Sequence, residues 1–418
     1  MVRTGLFSAQ EKRSIRDSGN QRQDVKLHSY RHLPFFFMTR WKFQFLILAL
    51  ALAPTLSTQT GAQSYSPSDA IALEQQGKFA EAEQAWQEVI RKNPRDAGAY
   101  ASLGVVLSKE EKYPEAVAAY RKAIALNPKL PGIQMNLGLA EFKQGHFQSA
   151  VAPLKAVLAS NPKNLQARVL LGLSYYGDKK FADASRYLKV AVQADPSNVE
   201  LQQVLAQSCL WAHDYACAKD GFHAILQRDP ESASAHILLG QALDGTGKTS
   251  EAIVEFQEAA KISPREPNVH FGLGFLYWKS HDYDKAKQEF EAELANDPNS
   301  SQAMAYLGDV ELKAGNSDHA ETLLRKAVQL KPDLRIAYID LGILLTQKKQ
   351  YQDALTALKK AAELDPTQPD AHYRMGHVYQ AMGRSAEAEE EFKKVQQLHE
   401  KSDINLTPKM STAPPIQQ

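Results

Sequence analysis

The sequence predicts an all-α fold, an α-α superhelix (solenoid) of about ten tandem helical hairpins, each 34 residues long. Three observations predict it. Prolines stand at 94, 128, 162, 196, 230, 264, 298, 332 and 366, every one 34 residues after the last, with no insertion or deletion. With the chain cut into units starting at 63, 97, 131, 165, 199, 233, 267, 301, 335 and 369, place 20 is alanine in all ten, from Ala82 and Ala116 through Ala354 and Ala388. Apolar residues then recur twice per unit at three- and four-residue spacings, as two amphipathic helices require. No such hairpin buries its apolar face alone, so a fixed period of this kind specifies a stack.

Taken in order, the chain opens with a leader, residues 1–62. Residues 43–56, FQFLILALALAPTL, form an apolar run of 14 residues, shorter than the roughly 20 that span a bilayer as a helix. Arg40 and Lys42 precede it, and the small residues Thr60-Gly61-Ala62 follow it. That is the layout of a secretory signal peptide cut near Ala62/Gln63, with a retained membrane anchor or a core helix as the alternatives. Residues 1–37 are polar, basic and without periodicity, whereas Met38 opens a compact signal start, so Met38 is the expected initiator, with an unusually long positive leader as the alternative. The expected location is therefore exported, periplasmic or secreted, with the membrane involved only if residues 43–56 are retained.

The array proper spans 63–402. Place 8 is glycine in eight units, Gly104 through Gly376, with Ala70 and Ala206 in the others. Place 24 is always large and apolar, as in Trp86, Tyr120, Phe222, Phe256, Phe290 and Phe392. Small residues at places 8 and 20 let paired helices approach, and place 24 fills the space beside that contact. Gly77, Gly145, Gly247, Gly315 and Gly383 mark the turn between helices, where a left-handed backbone costs glycine little. The Asn-Pro and Asp-Pro pairs end the second helix, because the residue before proline avoids the helical region.

These places resemble the tetratricopeptide repeat pattern, W-x2-L-G-x2-Y, A-x3-F and P. Tyr100-x2-Leu103-Gly104, Ala116-x3-Tyr120 and Pro128 match it, as do Leu273-Gly274-x2-Tyr277, Ala286-x3-Phe290 and Pro298. The resemblance covers residue 63 to about 400 and implies a right-handed superhelix whose concave surface is lined by each first helix. Departures are Asp69-Ala70 in the first unit and Glu293 at place 27, where a small apolar residue is expected. The last helix, from Ala386 to His399, is charged enough to close the stack, and residues 403–418, with Pro408, Pro414 and Pro415, are expected to be disordered.

Bulk composition narrows the function. Net charge over 418 residues is +1, against the basic field of a nucleic-acid binder. The leader carries nine Lys/Arg against three Asp/Glu, which leaves the rest mildly acidic. No metalloprotease helix, nucleophile elbow or dinucleotide fingerprint occurs, so no catalytic residue, cofactor or small-molecule substrate is expected. Ala242-Leu-Asp-Gly-Thr-Gly247-Lys248-Thr249 fits a relaxed phosphate loop, but such a loop follows a buried strand, and here a helix precedes a repeat-phased turn. His236, His270 and His372 share place 4 and are explained by the repeat. Cys209 and Cys217 fall on facing sides of one hairpin, giving a disulfide, two buried thiols, or a weak metal set with His213 as readings.

The resemblance places residues 2, 5, 9 and 12 of each first helix on the concave surface. Apolar and aromatic side chains dominate there: Met135, Leu139 and Phe142; Leu173 and Tyr176; Phe271, Phe275 and Trp278; Ile339 and Ile343. They point to a groove for an apolar segment of a protein or peptide partner, although some of them pack between repeats. Place 5 carries no lysine, which disfavours the acidic chaperone tails that family members grip with a Lys/Asn/Arg clamp. The expected function is a non-catalytic exported scaffold. The alternatives are a membrane-tethered accessory subunit that recruits an enzyme or assembly machine, and a nucleotide-dependent enzyme.

Overall fold

The computed structural model describes residues 65–410, with side chains over 65–400. The leader, its apolar run 43–56 and residues 411–418 lie outside the described residues. Two compact units divide the chain, residues 1–221 and 222–418. In the first, α1 (Pro67–Gln75) and α2 (Phe79–Lys92) make one hairpin, followed by α3 (Ala97–Lys109) with α4 (Tyr113–Leu126), and α5 (Ile133–Lys143) with α6 (Phe147–Ser160). Then come α7 (Leu165–Gly177) with α8 (Phe181–Ala194), and α9 (Val199–Trp211) with the start of α10 (Tyr215–Leu226). The second unit holds α11 (Ala233–Gly245) with α12 (Thr249–Ile262), α13 (Val269–Lys279) with α14 (Tyr283–Asn296), and α15 (Ser301–Lys313) with α16 (Ser317–Leu330). It ends with α17 (Arg335–Gln347) and α18 (Tyr351–Leu364), then α19 (Asp370–Ala381) and α20 (Ser385–Met410). Every described element is a helix, and the fold class is an all-α solenoid of helical hairpins.

Close approach inside each hairpin explains the fixed places. A Cβ on Gly104 would stand 2.5 Å from the Tyr120 ring, and one on Gly274 would stand 2.7 Å from the Phe290 ring. The place-20 alanines are buried throughout, at 0–2% exposure. Burying a ring such as Phe290 contributes about 1.5–3 kcal/mol, provided the facing helix leaves it room. The α9–α10 hairpin solves the same problem in reverse: Ala206 replaces glycine on the first helix, and Gly221 supplies the space on the second. A Cβ on Gly221 would meet that of Ala206 at 2.7 Å.

The turns depart from the sequence reading. All ten place-15 residues take left-handed backbone, the five glycines and also Glu111, Lys179, His213, His281 and Lys349, whose φ values lie between 59° and 63°. Reversal over so short a connection demands that conformation whatever the residue, and each non-glycine carries about 1–2 kcal/mol of strain. His213 and His281 recover part of it through Nδ1 contacts to the Tyr215 and Tyr283 hydroxyls, at 2.8 and 2.9 Å. At the other end of each hairpin the residue before proline is extended, as at Asn127 (φ −147°) and Asp365 (φ −146°).

Two further differences have local causes. α5 and α13 begin at place 3, because Pro131-Gly132 and Pro267-Asn268 precede them and Gly132 and Asn268 are left-handed (φ 73° and 65°). α20 runs on to Met410, past residues 401–402 where the sequence reading ends the array. No glycine or proline interrupts residues 384–407, so the helix has no local stop signal before Pro408.

Candidate functional site

Within each unit, first helices pack on the first helices of neighbouring hairpins: α3 on α5, α5 on α7 and α7 on α9, then α13 on α15, α15 on α17 and α17 on α19. Among the described residues, no two second helices pack to a comparable extent. From α3 to α9 and from α13 to α19 the first helices thus make a continuous face, and the expected partner-binding residues divide on it by burial. Met135, Leu139, Phe142, Leu173 and Tyr176 in the first unit are half-buried, as are Trp278 and Ile343 in the second. Tyr176 is also fixed by a hydrogen bond to Gln207 Oε1 (2.7 Å) and by the tilted Trp211 ring at 5.4 Å.

Phe271, Phe275 and Ile339 differ from the expectation. They are 1%, 9% and 7% exposed and belong to the core. Phe271 lies 6.0 Å from both the Phe290 and Tyr306 rings, and Phe275 stacks on Trp278 at 5.7 Å with Tyr306 edge-on at 5.6 Å. Tyr306, at place 6 of the following hairpin, covers them, so of this trio Trp278 alone offers surface.

Buried carboxylates are the chemistry that sequence reasoning missed. Glu293, 5% exposed, accepts a hydrogen bond from the Phe271 backbone N–H at 3.0 Å. It caps the late-starting α13 from across the hairpin, since Asn268 supplies no side-chain cap, and an N-terminal turn leaves such amides without partners. Burial pushes its carboxyl above the usual glutamate range, while the Phe271 amide bond pulls it back. Glu141, at 2% exposure, pairs with Arg121 at 2.6 Å, and Glu311, at 1%, pairs with Lys287 at 2.8 Å. The place-4 histidines behave as the repeat predicts: His236, His270 and His372 each meet the carboxylate of Glu255, Glu289 or Glu391 at 2.6–2.7 Å.

The remaining sequence candidates resolve plainly. Cys209 and Cys217 are joined by a disulfide, with Cα atoms 5.7 Å apart. Asp214 lies close enough to the two sulfurs to complete a metal trio, but bonded sulfurs are not thiolate ligands. Gly247 is the left-handed turn between α11 and α12, and Lys248 Nζ is engaged by Glu251 at 2.6 Å. No strand occurs among the described residues, so the turn lacks the setting of a phosphate loop.

Family models named tetratricopeptide repeat match residues 69–131, 135–199 and 271–335, then 175–242, then 369–401. One named TPR repeat matches 246–280 and 342–383. The chain belongs to the tetratricopeptide repeat family. Among curated proteins none matches it. Solved structures similar to the array include MamA from Desulfovibrio magneticus RS-1, at 26% identity over 41% of this chain and 97% of that one, with a TM-score of 0.37. YrrB, described as a TPR protein with an unusual peptide-binding site, is 23% identical over 45% of this chain and 97% of its own, at a TM-score of 0.36. Yeast Tom70 is 15% identical over 79% of this chain and 91% of its own, at 0.38. At these TM-scores none of the likenesses bears on function. Family membership makes the array a protein–protein interaction scaffold, on a fold that is typically non-catalytic.

Proposed function

We propose that the array is exported and holds segments of partner proteins against the face made by its first helices. The observation that carries this reading is the run of half-buried apolar side chains on adjacent first helices, Met135, Leu139, Phe142, Leu173 and Tyr176 in one unit. Single exposed apolar residues are ordinary, whereas neighbouring ones on a continuous face favour an apolar partner segment. Export is supported by the Cys209–Cys217 bond, since disulfides persist in oxidising compartments, and by the signal-like run at 43–56. No nucleic-acid, cofactor or small-molecule role is needed to account for the side chains described.

Crosslinking pull-down from intact cells tests the reading, comparing the unaltered chain with Leu139→Lys/Leu173→Lys. A partner captured by the first and lost by the second, with circular dichroism unchanged, is the expected result. Equal capture would move the binding surface elsewhere. Mass spectrometry of the mature N-terminus is expected to find a chain beginning near Gln63, while a retained run 43–56 would favour the membrane-tethered accessory subunit instead.

A further inference from the structure

In the second unit, three consecutive first helices bring together an aromatic wall and two buried carboxylates. Trp278 on α13 lies edge-on to Tyr306 on α15, with ring centroids 5.1 Å apart, and donates its indole N–H to Asp309 Oδ2 at 2.5 Å. Asp309 is 5% exposed, and Asp340 on α17 is 4% exposed. The two carboxylates repel one another, and burial together with the Asp309 charge drives the Asp340 carboxyl well above the usual range. Tyr306 lies in the field of both and is held neutral by its burial.

This corner already holds one cation, contributed by the chain itself. Lys313 Nζ bonds both oxygens of Asp309 and stands 5.8 Å from the Trp278 ring centroid and 5.5 Å from that of Tyr283. Carboxylate and ring faces therefore meet in an arrangement suited to a positive side chain. Asp340 has no such guest: its Oδ2 is buried and has no hydrogen-bond partner. The other charges that act on it are Lys313, Arg374 and Asp370. None closes the gap. Lys313 is spent on Asp309, Asp370 pairs with Arg335, and Arg374 leaves its own buried Nε without an acceptor. A buried acceptor with no donor is costly, and its cost is removed when a partner supplies the donor.

We infer that Asp340, beside Asp309 and the half-buried Trp278, forms a socket for a basic side chain of the partner segment, an arginine by preference. A planar guanidinium stacks on an indole or phenol face while its N–H fork reaches a carboxylate, which an ammonium does less well. The inference rests on the scaffold reading above and adds to it the partner's chemistry: apolar residues for the first-helix face, and one cation for this socket.

Random heptapeptides displayed on phage and selected on the full chain test it. Selected peptides are expected to share an arginine or lysine. Changing that arginine to neutral citrulline should weaken binding about tenfold or more, and Asp340→Asn should do the same to the arginine peptide. Asp340→Asn is close to isosteric and removes an ionisable group whose charged form burial penalises, so its urea midpoint should not fall; the citrulline peptide tests the socket on unaltered protein in any event. Peptides that bind without a basic residue, or equally well to Asp340→Asn, overturn the socket and leave the scaffold intact. Failure to select any peptide overturns the socket and the peptide-binding reading together.

Discussion

Replacing Glu293 by alanine would restore the kind of residue its neighbours carry, since place 27 is Val, Ala or Ile in every other unit, and yet it should destabilise the protein. The reason lies in α13, which starts two places late behind Pro267 and has no side-chain cap of its own. Its Phe271 amide is satisfied by Glu293 Oε2 at 3.0 Å inside the hairpin. A hydrogen bond to a charged acceptor contributes about 1.5–3 kcal/mol, and an orphaned buried donor costs about 1–3 kcal/mol. Relief of the buried carboxylate offsets part of that loss, so a net cost of about 1–2 kcal/mol is expected locally. Hydrogen exchange reads it directly: the Phe271 amide should lose about tenfold protection for each 1.4 kcal/mol, with distant hairpins unchanged. Glu293→Gln keeps an acceptor without the charge and should be at least as stable as the unaltered protein at neutral pH. Because burial raises the folded carboxyl above its ordinary value of 4.5, the folded state holds that proton more tightly. Glutamate stability is then greatest below the ordinary value and falls as pH rises past it, so the advantage of glutamine shrinks on acidification. An alanine variant with undiminished Phe271 protection would refute the capping role. In a Pro267→Ala background, where the first helix can start at place 1, the alanine penalty should shrink.

Two other expectations follow from the hairpin geometry. Gly221→Ala should cost about 1–3 kcal/mol, because its Cβ would stand 2.7 Å from that of Ala206 and 3.3 Å from the Ala206 backbone; Ala206→Gly in the same chain should restore the urea midpoint, and lack of rescue would contradict the exchange of space. At the turns, Gly315→Ala at φ 84° should lower the thermal midpoint by about 1–2 kcal/mol equivalent, while Lys349→Gly should be neutral or mildly stabilising. A loss for Lys349→Gly would show that the turn strain is absent.

The repeat frame was legible because its causes are local to one hairpin. Gly104 facing Tyr120, or Gly274 facing Phe290, is a contact between places 8 and 24 of a single unit, and it recurs in eight of the ten copies. What escaped the sequence depends on the next copy. Phe271 and Phe275 stand at places 5 and 9, which the family presents to the concave side. Their burial is decided by Tyr306 at place 6 of the following hairpin, a place that holds Leu238, Gly272, Tyr306 and Asp340 in successive units. A place that varies so much gives no period to read. Glu293 was visible as an anomaly, but its role needed the late start of α13, itself a consequence of Pro267. Turn strain at Glu111 or Lys349 was hidden for the opposite reason: glycine at half the turns drew attention away from a backbone demand that all ten share.

Among the described residues, the substantial pairing between helices one or two places apart in sequence also shapes how the chain acquires its structure. Every such contact closes a short segment, so the entropy lost at each step is small and no step waits for a distant strand. A hairpin can form as soon as its 34 residues are free and its predecessor is in place. The same locality makes length adjustable in whole repeats, because removing one interior copy in register joins two ends that already meet in the same way elsewhere in the array.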